Sequence, residues 1–187
     1  MHGIVSLLDQ AHNDAVEWLW QELADRCGVR GVYVTPFPHF SYHVAATYDV
    51  KQATAIVERV ARDMAPFEVR TTGVGLFTGA HPVVYLPIVR TSHVSHLHHA
   101  LWLGLEVASG DVVEHYHPDL WMPHITIGFG DIDADSVAAI ARLLCGRALD
   151  WSISIDNLSL IYNTGGQQNI HSRYPLSQTG QALLPRD

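Results

Sequence analysis

Two short segments of this sequence are built alike. Pro38-His39-Phe40-Ser41 and Pro123-His124-Ile125-Thr126 each run proline, histidine, apolar residue, hydroxyl. In an extended strand, residues two apart project from one face. His39 then shares a face with Ser41, and His124 with Thr126, while Phe40 and Ile125 point into a core. Proline suits the first residue of a strand, where a missing N–H does little harm. Each copy offers an imidazole and a hydroxyl side by side on a stiff element, and two such copies can face each other across a cleft. The shorter pattern His-x-Ser/Thr is weaker, because His93-Val94-Ser95 also fits it. That copy lacks the proline and falls in a helix-like stretch, where residues two apart do not share a face.

Both segments need strands to display them and helices to cover their apolar side. Gly3 to Leu8 reads as a short strand, followed by a helix from about Asp9 to Cys27 with Val16, Leu19, Trp20 and Leu23 as its stripe and Gly28 as its stop. The first motif strand runs to about Thr47, and Lys51 to Met64 is a second helix ended by Pro66. Phe67 to Phe77 and Pro82 to Arg90 read as strands joined by a turn. Ser92 is placed to cap a third helix reaching about Ala108, and Gly110 to Met122 reads as a loop leading into the second motif strand. A fourth helix spans about Asp133 to Cys145. Two further strands follow, with Asn163-Thr164-Gly165-Gly166 as the turn before a returning strand from Asn169 to Leu176. Each motif strand is thus preceded by a helix and followed by a helix and a strand pair. Recurring helices and strand pairs argue for an α+β fold, since simple alternation would suggest a parallel sheet.

Composition narrows the partners. With 187 residues and 48% hydrophobic content, the chain suits one domain with a sizeable core. No apolar run is long enough to cross a bilayer and the start has no signal-peptide pattern, so a cytoplasmic location is expected. Cys27 and Cys145 are the only cysteines, and two buried, reduced thiols are expected of them. Net charge is −8, with Lys51 the single lysine and the arginines scattered. Tight binding to long duplex nucleic acid needs many phosphate contacts from a basic face. A small phosphorylated nucleotide or an RNA end fits this charge better.

The two His-x-Ser/Thr motifs, each on a predicted strand and separated by about half the chain, resemble those of the 2H phosphoesterase superfamily. That superfamily includes the 2′-5′ RNA ligase-like proteins and the 2′,3′-cyclic nucleotide phosphodiesterases. Trp121-Met122-Pro123-His124-Ile125-Thr126-Ile127 is close to the family form; the first motif departs mildly, with Ser41 for the commoner threonine. The resemblance implies residues 1–187 as a single bilobal domain, two pseudo-symmetric lobes of antiparallel sheet with outer helices around a central cleft. It implies His39, Ser41, His124 and Thr126 as catalytic residues in a metal-independent reaction with no cofactor. The reaction it implies is hydrolysis of a 2′,3′-cyclic phosphate or reversible 2′-5′ joining of RNA ends, and a monomer is expected.

The residue types suit those roles. Two imidazoles flanking a phosphate can divide one displacement, one taking the proton of the attacking hydroxyl or water and the other protonating the leaving oxygen. Ser41 and Thr126 can donate to the non-bridging oxygens and stabilise their charge. Which histidine is acid depends on the direction of reaction. By strand parity Phe37 and His43 share the motif face and are candidates for substrate contact, with packing the alternative for Phe37. Two rival readings remain. His93, His96, His98 and His99, or His115 and His117, supply imidazoles for a metal, although neither group matches a ligand motif such as His-Glu-x-x-His. A non-catalytic binder of nucleotides or RNA ends on the same fold is the other, since fold does not guarantee activity.

Overall fold

The helices begin and end where their sequences satisfy loose backbone groups. In the computed structural model, which describes residues 1–164 and 166–177, α1 (Gln10–Cys27) opens on Asp9, whose carboxylate accepts from the His12 amide. It closes at Gly28, whose φ of 74° is one that glycine adopts without steric cost. Asp49 caps α2 (Val50–Asp63) in the same way. Thr91, rather than Ser92, caps α3 (Ser92–Leu105). Asp133 and Ser136 form a reciprocal capping box on α4 (Ala134–Leu144).

The strands are β1 (His2–Leu7), β2 (His39–Tyr48), β3 (Phe67–Arg70), β4 (Gly75–Phe77), β5 (Val83–Pro87), β6 (Ser109–Val112), β7 (His124–Phe129), β8 (Ser152–Ile155), β9 (Asn157–Thr164) and β10 (Gln167–Pro175). All pairings named here are antiparallel, in the order β10-β9-β1-β2-β7-β5-β4, with β6 also on β2 and a separate pair β3-β8. The sequence of elements repeats: β1-α1-β2-α2-β3-β4 is followed by β5-α3-β7-α4-β8-β9, with β6 inserted and β10 added. In the sheet, β1 matches β5 and β2 matches β7, so the two motif strands are central. They pair with each other only through Phe40 and Ile125. The α+β class and the two related halves agree with the sequence reading, and the halves join in one sheet.

All four helices contribute to a single core on one face of that sheet. Val16, Leu23, Val57, Leu97, Leu101 and Ile140 are buried against Phe40, Ile125 and Ile127. The opposite face carries a smaller cluster of Val5, Leu7 and Ile161, with Phe37 packed against it.

Two expectations change and a third is only partly covered. Ser109–Val112 is a strand where a loop was expected: beyond Phe40 the edge of β2 is free of β7, and β6 pairs there with Ala45, Thr47 and Tyr48. No alternation marks such a segment, since Asp111 has φ of 52°. Cys27 is half-buried and Cys145 exposed, so the thiols are free but not both buried. The expected turn at 163–166 lies partly outside the described residues, with Thr164 and Gln167 paired on either side of it. Among the described residues no helix is long and apolar enough to cross a membrane.

One buried amide fixes β1 beside the first motif. Asn157, with no exposed surface, accepts from the Leu7 N–H at 3.1 Å and donates to the Leu7 carbonyl at 2.9 Å. Its own carbonyl accepts from Ser6, whose hydroxyl also meets Tyr42 at 2.9 Å. The side chain continues the β1–β9 ladder where the main chain no longer does. Asn157→Ala strands both Leu7 groups and should lower stability by about 1–3 kcal/mol. Urea unfolding of the variant checks this; an unchanged midpoint would show that the network contributes nothing.

Candidate active site

The two motif strands expose the same pattern. Residues 39–43 and 124–128 alternate half-buried, buried, half-buried, buried, buried. His39, Ser41, His124 and Thr126 are the half-buried members. Because Phe40 sits across from Ile125 in an antiparallel pair, His39 falls opposite Thr126 and Ser41 opposite His124. The four side chains thus form one patch, with the two imidazoles on a diagonal. In a regular ladder that diagonal spans roughly 7–8 Å between Cα atoms.

The doubled burial at the end of each pattern has a cause. Both strands carry a bulge directly after the motif: Val5 pairs with Ser41 while Ile4 pairs with His43, and Tyr85 pairs with Thr126 while Val84 pairs with Gly128. Tyr42 and Ile127 are the extra residues. An extra residue turns the rest of a strand over. This corrects the expectation for His43, which parity had placed on the motif face. The bulge turns it to the core, where it is 1% exposed and hydrogen-bonded through Nδ1 to the Tyr48 hydroxyl at 2.5 Å. It is not available to a substrate in the cleft.

Each catalytic candidate is held by the same device. His39 Nδ1 donates to the Phe37 carbonyl at 3.0 Å, and His124 Nδ1 donates to the Met122 carbonyl at 2.7 Å. A carbonyl only accepts, so Nδ1 carries the proton and Nε2 is left with a free lone pair in the neutral ring. The intervening Pro38 and Pro123 restrict the residue before them to extended conformations, which fixes the carbonyl that the imidazole reaches. Each motif's hydroxyl residue is held through its backbone by an indole from the other half. Trp20 Nε1 donates to the Thr126 carbonyl at 3.1 Å, and Trp121 Nε1 donates to the Ser41 carbonyl at 2.9 Å.

The surroundings of the two halves differ. Beside His124 lie Phe77, edge-on at 5.0 Å, and Tyr85 at 5.1 Å, the two stacked on each other at 4.1 Å. A cavity of about 130 Å³ reaches His39 and Thr126 and is walled by Trp20, Val34, Thr35 and Phe129. Phe37 lies 5.8 Å from His39, while its ring also packs on Val5 and Leu7. Sequence reasoning missed Trp121, Tyr85 and Phe77 and assigned Trp20 to packing. Trp121 alone had a signal, its place three residues before His124. The decoy stays away from the cleft: Ser95, on α3, accepts from Arg90. Among the described residues no three His, Cys, Asp or Glu side chains gather to hold a metal ion. In α3 itself His98 turns inward while His93, His96 and His99 are not buried.

Burial pushes His39 below the ordinary histidine range; the Phe37 carbonyl partly restores it and charge on His124 lowers it again. Burial also lowers His124, against the pull of the Met122 carbonyl. Both rings are therefore neutral at pH 7 in the free protein, and a proton on one opposes a proton on the other. Nitrogen-15 spectra should show both as the Nδ1–H form, titrating below the ordinary value of about 6.5. An imidazolium at either position at pH 7 would contradict this geometry.

Comparison with known proteins agrees with this architecture. The crystal structure of TT0787 from Thermus thermophilus superposes with a TM-score of 0.67 at 17% identity, covering 95% of this chain and 98% of that one. A crystal structure described as a phosphoesterase superposes at 0.59 and 15% identity, again covering 95% and 98%. Identities this low establish the shared fold alone. Among curated protein sequences there is no match. The sequence model of the 2′-5′ RNA ligase superfamily, however, matches residues 10–167, from the start of α1 to the start of β10 and across both motifs, and the chain belongs to that superfamily.

Proposed function

We propose that the protein is a metal-independent phosphoesterase that opens a 2′,3′-cyclic phosphate on a nucleotide or RNA end, with His39 and His124 as the acid–base pair. The observation that carries this reading is the twofold repetition at Phe40 and Ile125, which puts two Nδ1-anchored imidazoles and two hydroxyls on one patch. Membership of the superfamily supports a phosphoesterase or ligase type of chemistry.

One imidazole accepts a proton at Nε2 from water as its oxygen attacks phosphorus. The ring P–O bond breaks, and the leaving ribose oxygen takes a proton from Nε2–H of the other. The pair must start with one proton between them. Mutual repulsion favours that state over two, and the negative phosphate favours it over none. Ser41 and Thr126 donate to the non-bridging oxygens, where charge gathers. With a 5′-hydroxyl replacing water as nucleophile, the same displacement breaks the ring P–O3′ bond, protonates the 3′-oxygen and joins two ends through a 2′-5′ bond. Phe37, beside His39, is the substrate contact retained from the sequence. Net charge of −8 favours a small ligand or a chain end over a long duplex.

Incubation with 2′,3′-cyclic nucleotides and with a cyclic-phosphate-ended oligonucleotide tests the reading, with products identified by phosphate position. His39→Ala and His124→Ala should each lower turnover by about 10²–10⁴-fold, and turnover should persist after exhaustive chelation. Turnover lost on chelation and restored by zinc or manganese would favour a metal reaction instead. Analogue binding without turnover would favour the non-catalytic binder.

The pH dependence has a definite sign. Burial depresses both imidazoles in the free protein, so kcat/KM should be bell-shaped with its acidic limb below the ordinary histidine value. Bound phosphate stabilises imidazolium, so the kcat profile should lie at higher pH than that of kcat/KM. Both limbs belong to the coupled pair, not to single residues. A kcat profile displaced toward acid would overturn the assignment.

A further inference from the structure

Ser41 is held from the other half of the molecule by more than its matching indole. Besides the Trp121 bond to its carbonyl, its side chain pulls down the Tyr116 phenol, which burial raises. At Thr126 the corresponding wall is Val34 and Thr35, and a cavity is left there. The two side chains that reach Ser41 are fixed in turn by one imidazole on α3. His98 is 1% exposed. Its Nε2–H donates to the Tyr116 carbonyl at 3.0 Å. Its ring stacks on the Trp121 indole, 3.9 Å between centroids and 13° between planes. Nδ1 is buried without a hydrogen bond of good geometry. Burying such a group is costly, and the proton transfers described above make no use of it.

We propose that His98 is a positioning residue for Ser41, setting Tyr116 and Trp121 together so that the Ser41 hydroxyl is aimed at the phosphate. The inference rests on the reading of Ser41 as a phosphate donor. A hydroxyl has one hydrogen. The Trp121 indole bond to the Ser41 carbonyl keeps the strand from shifting that hydrogen away from the substrate. Stacking and hydrogen bonding act on different partners here, so the two contributions can be separated by substitution.

The test uses the full chain with His98→Phe, His98→Gln, Ser41→Ala and both double variants. His98→Phe keeps a flat ring for Trp121 but loses the donor to Tyr116; His98→Gln offers a donor without the ring. Two readouts are taken: kcat and KM for 2′,3′-cyclic AMP, and the Trp121 indole N–H resonance. Each single His98 variant should lower kcat/KM about 10-fold, part of the about 10²–10³-fold expected on losing a whole donor. Neither should lower it further in the Ser41→Ala background, and the indole resonance should move. A His98 effect of equal size with and without Ser41, or an unmoved indole resonance, would overturn the proposal. If the wild-type protein shows no turnover, the phosphoesterase reading fails by itself. The indole resonance then decides the positioning role: a shift supports it and no shift ends it. Where one His98 variant fails to fold, the other carries the same comparison.

Discussion

The structure depends on one cross-strand pair, Phe40 with Ile125. Both side chains are fully buried in the core, so the register of β2 against β7 cannot slip without exposing one of them. A slip of one residue would turn the motif side chains over to the other face. Packing on the helix side therefore determines what the opposite side displays. Since the pair lies at the centre of a repeated arrangement, the same contact sets both half-sites at once. Truncating either partner would leave a cavity at that centre, and such core losses cost several kcal/mol.

Each half-site is then refined by polar contacts that cross between halves. The indoles of Trp20 and Trp121 hold Thr126 and Ser41 from opposite directions, so neither motif is positioned by its own half alone. The imidazoles are oriented locally, by carbonyls two residues upstream. Burial keeps them neutral and leaves their Nε2 atoms to respond to a ligand's charge. Two histidines that resist being protonated together suit a reaction in which one proton enters as another leaves. The flanks break the symmetry, with aromatic rings beside His124 and an apolar cavity beside His39. A phosphate with two unlike substituents would meet a different wall on each side.

Much of this was legible in the sequence because it is local. Helical stripes, capping carboxylates and the repeated four residues follow from spacing and residue type. Alternation places His39, Ser41, His124 and Thr126 on the faces the structure shows, since it holds up to the hydroxyl. It fails one step later at His43, because a bulge has no mark in the residues that form it. β6 was hidden for a related reason: it exists because β2 has a free edge, a property of tertiary pairing. Trp20 lay on an apolar helical stripe, where packing was the natural reading, yet its N–H also serves the second motif. His98 stood in a histidine-rich helix that invited a metal reading. Its inward turn toward Trp121 and Tyr116 comes only from the fold.

The central claim is that the two half-sites act on one phosphate. The most direct measurement is a crystal structure of the protein with adenosine 3′-monophosphate. The account predicts one phosphate between the Nε2 atoms of His39 and His124, its oxygens accepting from Ser41 and Thr126. A phosphate held by one motif alone, or bound instead in the groove between α2 and α3 beside Arg59 and His96, would contradict it.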